Sequence, residues 1–168
     1  MLSTSALDFD SVKAGSISYI PKLNVPVVDS VENFDDEVFS VENIDTHSYS
    51  SSIYGYKQCT WWAYNRARDF GISYGEYMGN GAEWKFQPGY SVSSTPVLHS
   101  VISFGPGQTL NNGLWQADAT YGHVAFVEAV YADGSLLISE SGTNLETEYT
   151  IQIISPSDAL QLDYVIGQ

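Results

Sequence analysis

Cysteine occurs once in this chain of 168 residues, at position 59. An internal disulfide and a multi-thiolate zinc site each need more than one thiol, so both are excluded. Basic residues are scarce too: 6 Lys and Arg stand against 20 Asp and Glu, a formal charge of -14. A chain this acidic repels nucleic-acid phosphates and anionic lipid, so neither nucleic acid nor membrane is expected as a partner. The six cations (Lys13, Lys22, Lys57, Arg66, Arg68 and Lys85) all precede residue 86, and the fixed charges beyond it are acidic. No apolar run approaches the roughly 18 residues of a membrane-spanning helix. The opening Met-Leu-Ser-Thr-Ser-Ala-Leu-Asp-Phe-Asp lacks the basic start and apolar stretch of a secretory signal. Work outside the cell would therefore require another route of delivery, or a leader absent from this sequence.

What is present suits a folded domain. Apolar residues make up 43% and aromatics 14%, enough to build a core at this length. Residues 1–50 differ from the rest: they hold nine acids, two lysines, no tryptophan and no sustained helical period. They read as an acidic, partly extended arm or linker, with short strands expected at Ile17–Ile20 and Val25–Val28. The compact part is residues 51–168. A helix is expected over 59–70, stopped by Gly71, with Cys59, Trp62, Ala63 and Phe70 on one side. Residues 72–95, rich in Gly, Tyr and Ser, read as loop with one short helix. Strands are expected at Val97–Phe104, His123–Ala132, Ser135–Ser141, Tyr149–Ile154 and Tyr164–Ile166. Asp133-Gly134 signals a two-residue hairpin turn. One helix followed by an antiparallel sheet is an α+β pattern.

Cys59 lies at the expected helix start, where the helix dipole favours a thiolate. A thiolate nucleophile needs a base, and the candidates are His47, His99 and His123. His47 lies in the polar arm, and His99 lies inside an apolar run that suits a structural ring. His123 begins a strand directly after Gly122, a residue that permits close approach of backbone or substrate. Strict pairing about Asp133-Gly134 sets Val127 opposite Glu140 and His123 opposite Asn144. Glu140 is then roughly 13 Å along the strand from the histidine. A longer loop over Tyr131–Gly134 with a bulge slides Glu140 toward His123 instead. Both partners stay open at this point.

The blocks Tyr54-Gly-Tyr-Lys-Gln-Cys-Thr-Trp-Trp-Ala-Tyr-Asn-Arg66, Pro96-x-x-x-Ser-Val-Ile-Ser-Phe104, Tyr121-Gly-His-Val-Ala-Phe-Val-Glu128 and Asp133-Gly-Ser-Leu-Leu-Ile-Ser-Glu140 resemble, in this order, the CHAP family. These are the cysteine, histidine-dependent amidohydrolases/peptidases, a papain-like group acting on peptidoglycan. The resemblance runs from about Tyr54 to the C-terminus. It implies a papain-like α+β catalytic domain over residues 51–168, with Cys59 as nucleophile, His123 as base and Glu140 as orienting acid. The family often carries Asn two residues after that Glu; here Gly142 stands there, with Asn144 two further on. Some relatives hold calcium shortly before the cysteine, but residues 46–58 contain no Asp or Glu, so neither metal nor cofactor is expected. The backbone N–H of Cys59 is the natural oxyanion donor, with Gln58 a further candidate. Trp61, Tyr64, Trp84, Tyr90 and Trp115 are candidates for lining a sugar or peptide groove, with core packing the alternative for each; Trp62 reads as core.

The implied activity is hydrolysis of a peptidoglycan amide, as an N-acetylmuramoyl-L-alanine amidase or a stem or cross-bridge endopeptidase. It would act at the bacterial wall, phage-delivered or holin-released, as a lysin or virion-associated lysin, or as a wall-remodelling enzyme. A separate wall-targeting or virion subunit is the expected partner. The competing readings are a non-catalytic wall-binding or structural subunit and a cysteine protease acting on proteins.

Overall fold

The computed structural model describes Val41 and residues 43–168. The two strands expected before residue 30 lie outside the described residues. The packed body includes Val41, Ile44 and Tyr49, on the arm side of the boundary drawn at residue 50. Tyr149 anchors this approach, its hydroxyl donating to the Val41 carbonyl at 2.5 Å.

Helix α1, Cys59–Arg68, follows Gln58, whose extended backbone opens the first turn. It stops where Gly71 takes a φ of 72°, a left-handed conformation that glycine adopts without strain. The Ile72 N–H then bonds the Ala67 carbonyl and the Gly71 N–H that of Arg68, satisfying the open helix end. The expected helix ran to residue 70; Asp69 and Phe70 belong to this capping turn.

Among the described residues, six antiparallel strands form the main sheet: β1 Ser91–Ser93, β2 Val101–Phe104, β5 His123–Val130, β6 Leu136–Glu140, β7 Thr150–Ile154 and β8 Tyr164–Ile166. Their spatial order is β1-β8-β2-β5-β6-β7. The strands β3 Thr109–Leu110 and β4 Trp115–Gln116 make a separate small hairpin, and a short helix α2, Pro156–Ala159, precedes β8. On one face of the sheet, α1 packs Trp62, Ala63 and Ala67 against Val124, Phe126, Leu137 and Ile151. On the other, Leu110, Ala159 and Leu162 cover Ile102, Ala125, Val127 and Ile138. Both faces being covered, β6 and β7 are buried along their whole length. Each large apolar side chain so enclosed contributes roughly 1.5–3 kcal/mol.

The strand expected over 97–104 is shorter because residues 97–100 form a turn. The Ser100 hydroxyl and N–H both bond the Val97 carbonyl, and His99 has a φ of 60°. Its ring stacks on Phe70 at 3.9 Å between centroids. The expected loop 72–95 contains a 3₁₀ turn, Gly81–Phe86, together with β1, an edge strand of three largely exposed residues.

The hairpin β5–β6 corrects the two-residue turn. Tyr131 donates to the Ser135 carbonyl and Gly134 to the Tyr131 carbonyl, both at 2.9 Å, so the loop is Ala132–Asp133–Gly134 with Gly134 at φ 90°. Asp133 stabilises this longer turn by accepting from both the N–H and the hydroxyl of Ser135. The register then shifts between Val127 and Ala129, a bulge at Glu128. Ala129, expected on the face of His123, therefore turns to the α1 side. Before the bulge Phe126 pairs with Ser139. Glu140 thus falls opposite Ala125, two residues from His123 rather than four, and Asn144 does not oppose the histidine.

Candidate active site

Three strand and helix ends converge. Cys59 is the first residue of α1, His123 the first of β5 and Glu140 the last of β6. The Nε2 atom of His123 lies 2.9 Å from Oε1 of Glu140. That contact leaves Nδ1 as the ring nitrogen for the thiol side. The other carboxylate oxygen, Oε2, accepts from the Gln152 amide at 2.5 Å.

The backbone behind His123 is tightly fitted. A Cβ on Gly81 would come within 2.5–2.6 Å of the His123 backbone, and one on Gly122 within 2.2 Å of the Phe104 carbonyl oxygen. Gly122 also has a φ of 67°. The glycine expected to permit close approach does so for neighbouring backbone. Trp115 meets the His123 ring edge-on at 5.5 Å and Phe104 lies at 5.8 Å. The segment before Cys59 is tied to the loop after Glu140: Lys57 Nζ donates to the Leu145 carbonyl, and the Tyr56 hydroxyl to Glu148 at 2.8 Å.

At the far side of α1, Arg66 forms a two-pronged ion pair with Glu128 at 2.8 and 2.9 Å. Ser139 bridges from Glu128 to the Trp62 indole N–H. This network fixes the helix, and so Cys59, on the sheet. The bulge that moves Glu140 into place is also what turns Glu128 toward Arg66.

The thiol and imidazole shift one another. For Cys59, burial works against the thiolate, but the charge and hydrogen bond of His123, with backbone N–H groups of Val124 and Thr60, outweigh it and hold the thiol below its ordinary range. For His123, burial works against the imidazolium, but Cys59 and then Glu140 outweigh it and push the ring up to about 10. The pair therefore favours thiolate and imidazolium together.

These groups open onto a cavity of about 850 Å³, which Gln58, Trp115, Asp118, Asn144 and Gln152 also line. Gln58 accepts from the Gly55 N–H at 3.2 Å through its side-chain oxygen. Asn144 is exposed in the turn after β6. Of the five aromatic candidates, Trp115 reaches the cavity wall. Trp61 and Trp84 are buried in the core, while Tyr64 and Tyr90 pack against it. His47 is exposed and His99 takes its place in the Phe70–Phe126 stack. Gln152 was not singled out from the sequence; its signal was a lone amide between Ile151 and Ile153 in a largely apolar strand.

The CHAP domain model matches residues 48–142. An N-acetylmuramoyl-L-alanine amidase domain-containing protein of Staphylococcus aureus is 36% identical over 143 residues, 83% of this chain and 22% of the relative. The N-acetylmuramoyl-L-alanine amidase sle1 of Staphylococcus epidermidis is 34% identical over 53% of this chain and 25% of its own length. The chain thus spans about a quarter of the length of these curated relatives. A solved N-acetylmuramoyl-L-alanine amidase of Staphylococcus aureus superposes with a TM-score of 0.64 at 34% identity, covering 80% of this chain and 40% of that one. With helix α1 packed on an antiparallel sheet, the fold is α+β and papain-like, and the chain belongs to the CHAP domain family.

Proposed function

We propose that this domain hydrolyses an amide of bacterial peptidoglycan by covalent catalysis at Cys59. The observation that carries the reading is the convergence of Cys59, His123 and Glu140 on one cavity of about 850 Å³, with His123 Nε2 held 2.9 Å from Glu140. The Cys59 thiolate attacks the amide carbonyl, and the new C–S bond forms as charge moves to the carbonyl oxygen. The Cys59 backbone N–H faces that oxyanion, with the Gln58 amide beside it. As the tetrahedral intermediate collapses, the C–N bond breaks and the His123 imidazolium protonates the departing amine. Water, deprotonated by the now neutral His123, hydrolyses the thioester and restores the thiol. Glu140 holds the ring in the tautomer this sequence needs.

The bond favoured is the muramoyl-L-alanine amide, because the similar proteins named above carry that activity in their names. A stem or cross-bridge endopeptidase is the second reading. The bacterial source of those relatives favours a wall-remodelling role over delivery by phage. Targeting to the wall by a separate subunit is a further part of the proposal.

Digestion of purified peptidoglycan with the full chain, followed by mass spectrometry of the fragments, tests it. The expected products carry new amino groups on L-alanine and intact glycan strands. New termini within the stem or cross-bridge would reassign the bond. Cleavage of proteins alone, or wall clearing by Cys59→Ala, would overturn the proposal.

A further inference from the structure

Glu140 has two carboxylate oxygens, and each has a partner. Oε1 meets the His123 ring at 2.9 Å, and Oε2 accepts from Gln152 at 2.5 Å. Gln152 is 2% exposed, in β7 between Ile151 and Ile153, whose side chains turn to the α1 side. A primary amide buried in an apolar strand costs free energy unless its polar atoms are paired. An aliphatic side chain would pack there without that cost and leave the strand pairing with β6 intact.

A glutamate anchored through one oxygen retains rotation about its side-chain bonds. Anchoring the second oxygen removes that freedom and fixes the direction in which the first presents itself. An amide N–H only donates, so Oε2 is held as an acceptor and Oε1 is left to the ring.

We propose that Gln152 is a positioning residue for the catalytic set, locking the Glu140 carboxylate in the orientation that aims His123 at Cys59. This rests on the reading of those three residues as nucleophile, base and orienting acid. The titratable groups facing His123 are Cys59 from α1, Glu140 from β6 and Asp118 from the turn before β5; Trp115 and Phe104 add uncharged rings.

The test variant is Gln152→Met, which keeps most of the volume and removes the donor. In the substrate-free chain, NMR titration of the His123 ring is expected to move to lower pH, since a freed carboxylate supports the imidazolium less. On peptidoglycan fragments, kcat is expected to fall roughly tenfold, the size of one charge-assisted hydrogen bond, with KM within about twofold. In a Glu140→Ala background, Gln152→Met is expected to change neither quantity further. An unaltered His123 titration, or an equal fall in kcat without Glu140, would overturn the proposal. So would a change confined to KM, which marks direct contact with substrate. Should Gln152→Met fail to fold, the wild-type Gln152 amide protons decide: they are expected to shift as His123 titrates, and resonances indifferent to it contradict the proposal. The NMR arms use no substrate, so their outcome is separate from whether peptidoglycan is cleaved.

Discussion

Gly81→Ala isolates how closely the fold holds the histidine. The added Cβ would meet N, Cα and C of His123 at 2.5–2.6 Å, and all three are backbone atoms that no rotamer change can move. Gly81 has no positive φ, so its substitution brings only the clash. Overpacking of this kind costs about 1–3 kcal/mol. For a domain of this size each kcal/mol lowers Tm by roughly 3–5 °C, giving an expected fall of about 3–15 °C. The shifted strand start also carries the imidazole away from Cys59, and misplacement approaching 1 Å costs on the order of 100-fold in turnover. Gly75→Ala is the matched control: its nearest neighbour would be the Tyr90 hydroxyl at 3.6 Å, an ordinary contact, again without positive φ. Thermal melts and turnover on peptidoglycan fragments measure both effects. A Gly81→Ala chain that melts and turns over like Gly75→Ala would refute the reasoning.

Trp84→Ala should cost about 3–5 kcal/mol in urea unfolding because the ring is fully enclosed between Tyr54 and Tyr74, whereas Trp115→Ala, at a half-buried ring resting on Phe104, should cost less and raise KM. Glu128→Ala removes one of the two carboxylate partners of Arg66, leaving Asp69 at 2.9 Å, and takes the acceptor from Ser139; it should cost about 1–3 kcal/mol, read from the same unfolding curves. The alkaline limb of kcat/KM should fall as His123 loses its proton near pH 10. Glu140→Gln removes a group that raises the ring, so this limb should move to lower pH, with turnover reduced at least tenfold. Asn144→Ala, exposed and without contact to His123, should keep turnover within about twofold.

Most of the fold was legible because the strong signals were local. Helix α1 begins at Cys59 as expected, and β8 occupies the expected residues, since an apolar period and a terminating glycine suffice for each. The register of β5–β6 was not, because it depends on a left-handed Gly134 and a bulge at Glu128, and both follow from long-range packing. Glu128 bulges where it can reach Arg66 on the helix, 62 residues away in sequence. Edge strands such as Ser91–Ser93 were missed because three mostly exposed residues carry no apolar alternation. The aromatic candidates could not be sorted by type alone: Trp84 and Trp115 look alike in sequence, and enclosure by distant tyrosines separates them. Gln152 escaped because its partner lies on the neighbouring strand.

Cys59 is the chain's lone thiol, so alkylation with iodoacetamide labels one site without mutation. Residual hydrolysis of peptidoglycan, measured against the alkylated fraction from intact mass, tests the nucleophile directly. The expected result is labelling that stays fast well below the ordinary thiol range and activity falling linearly to zero at full modification. A fully alkylated chain that still releases amino groups from the wall would contradict covalent catalysis at Cys59.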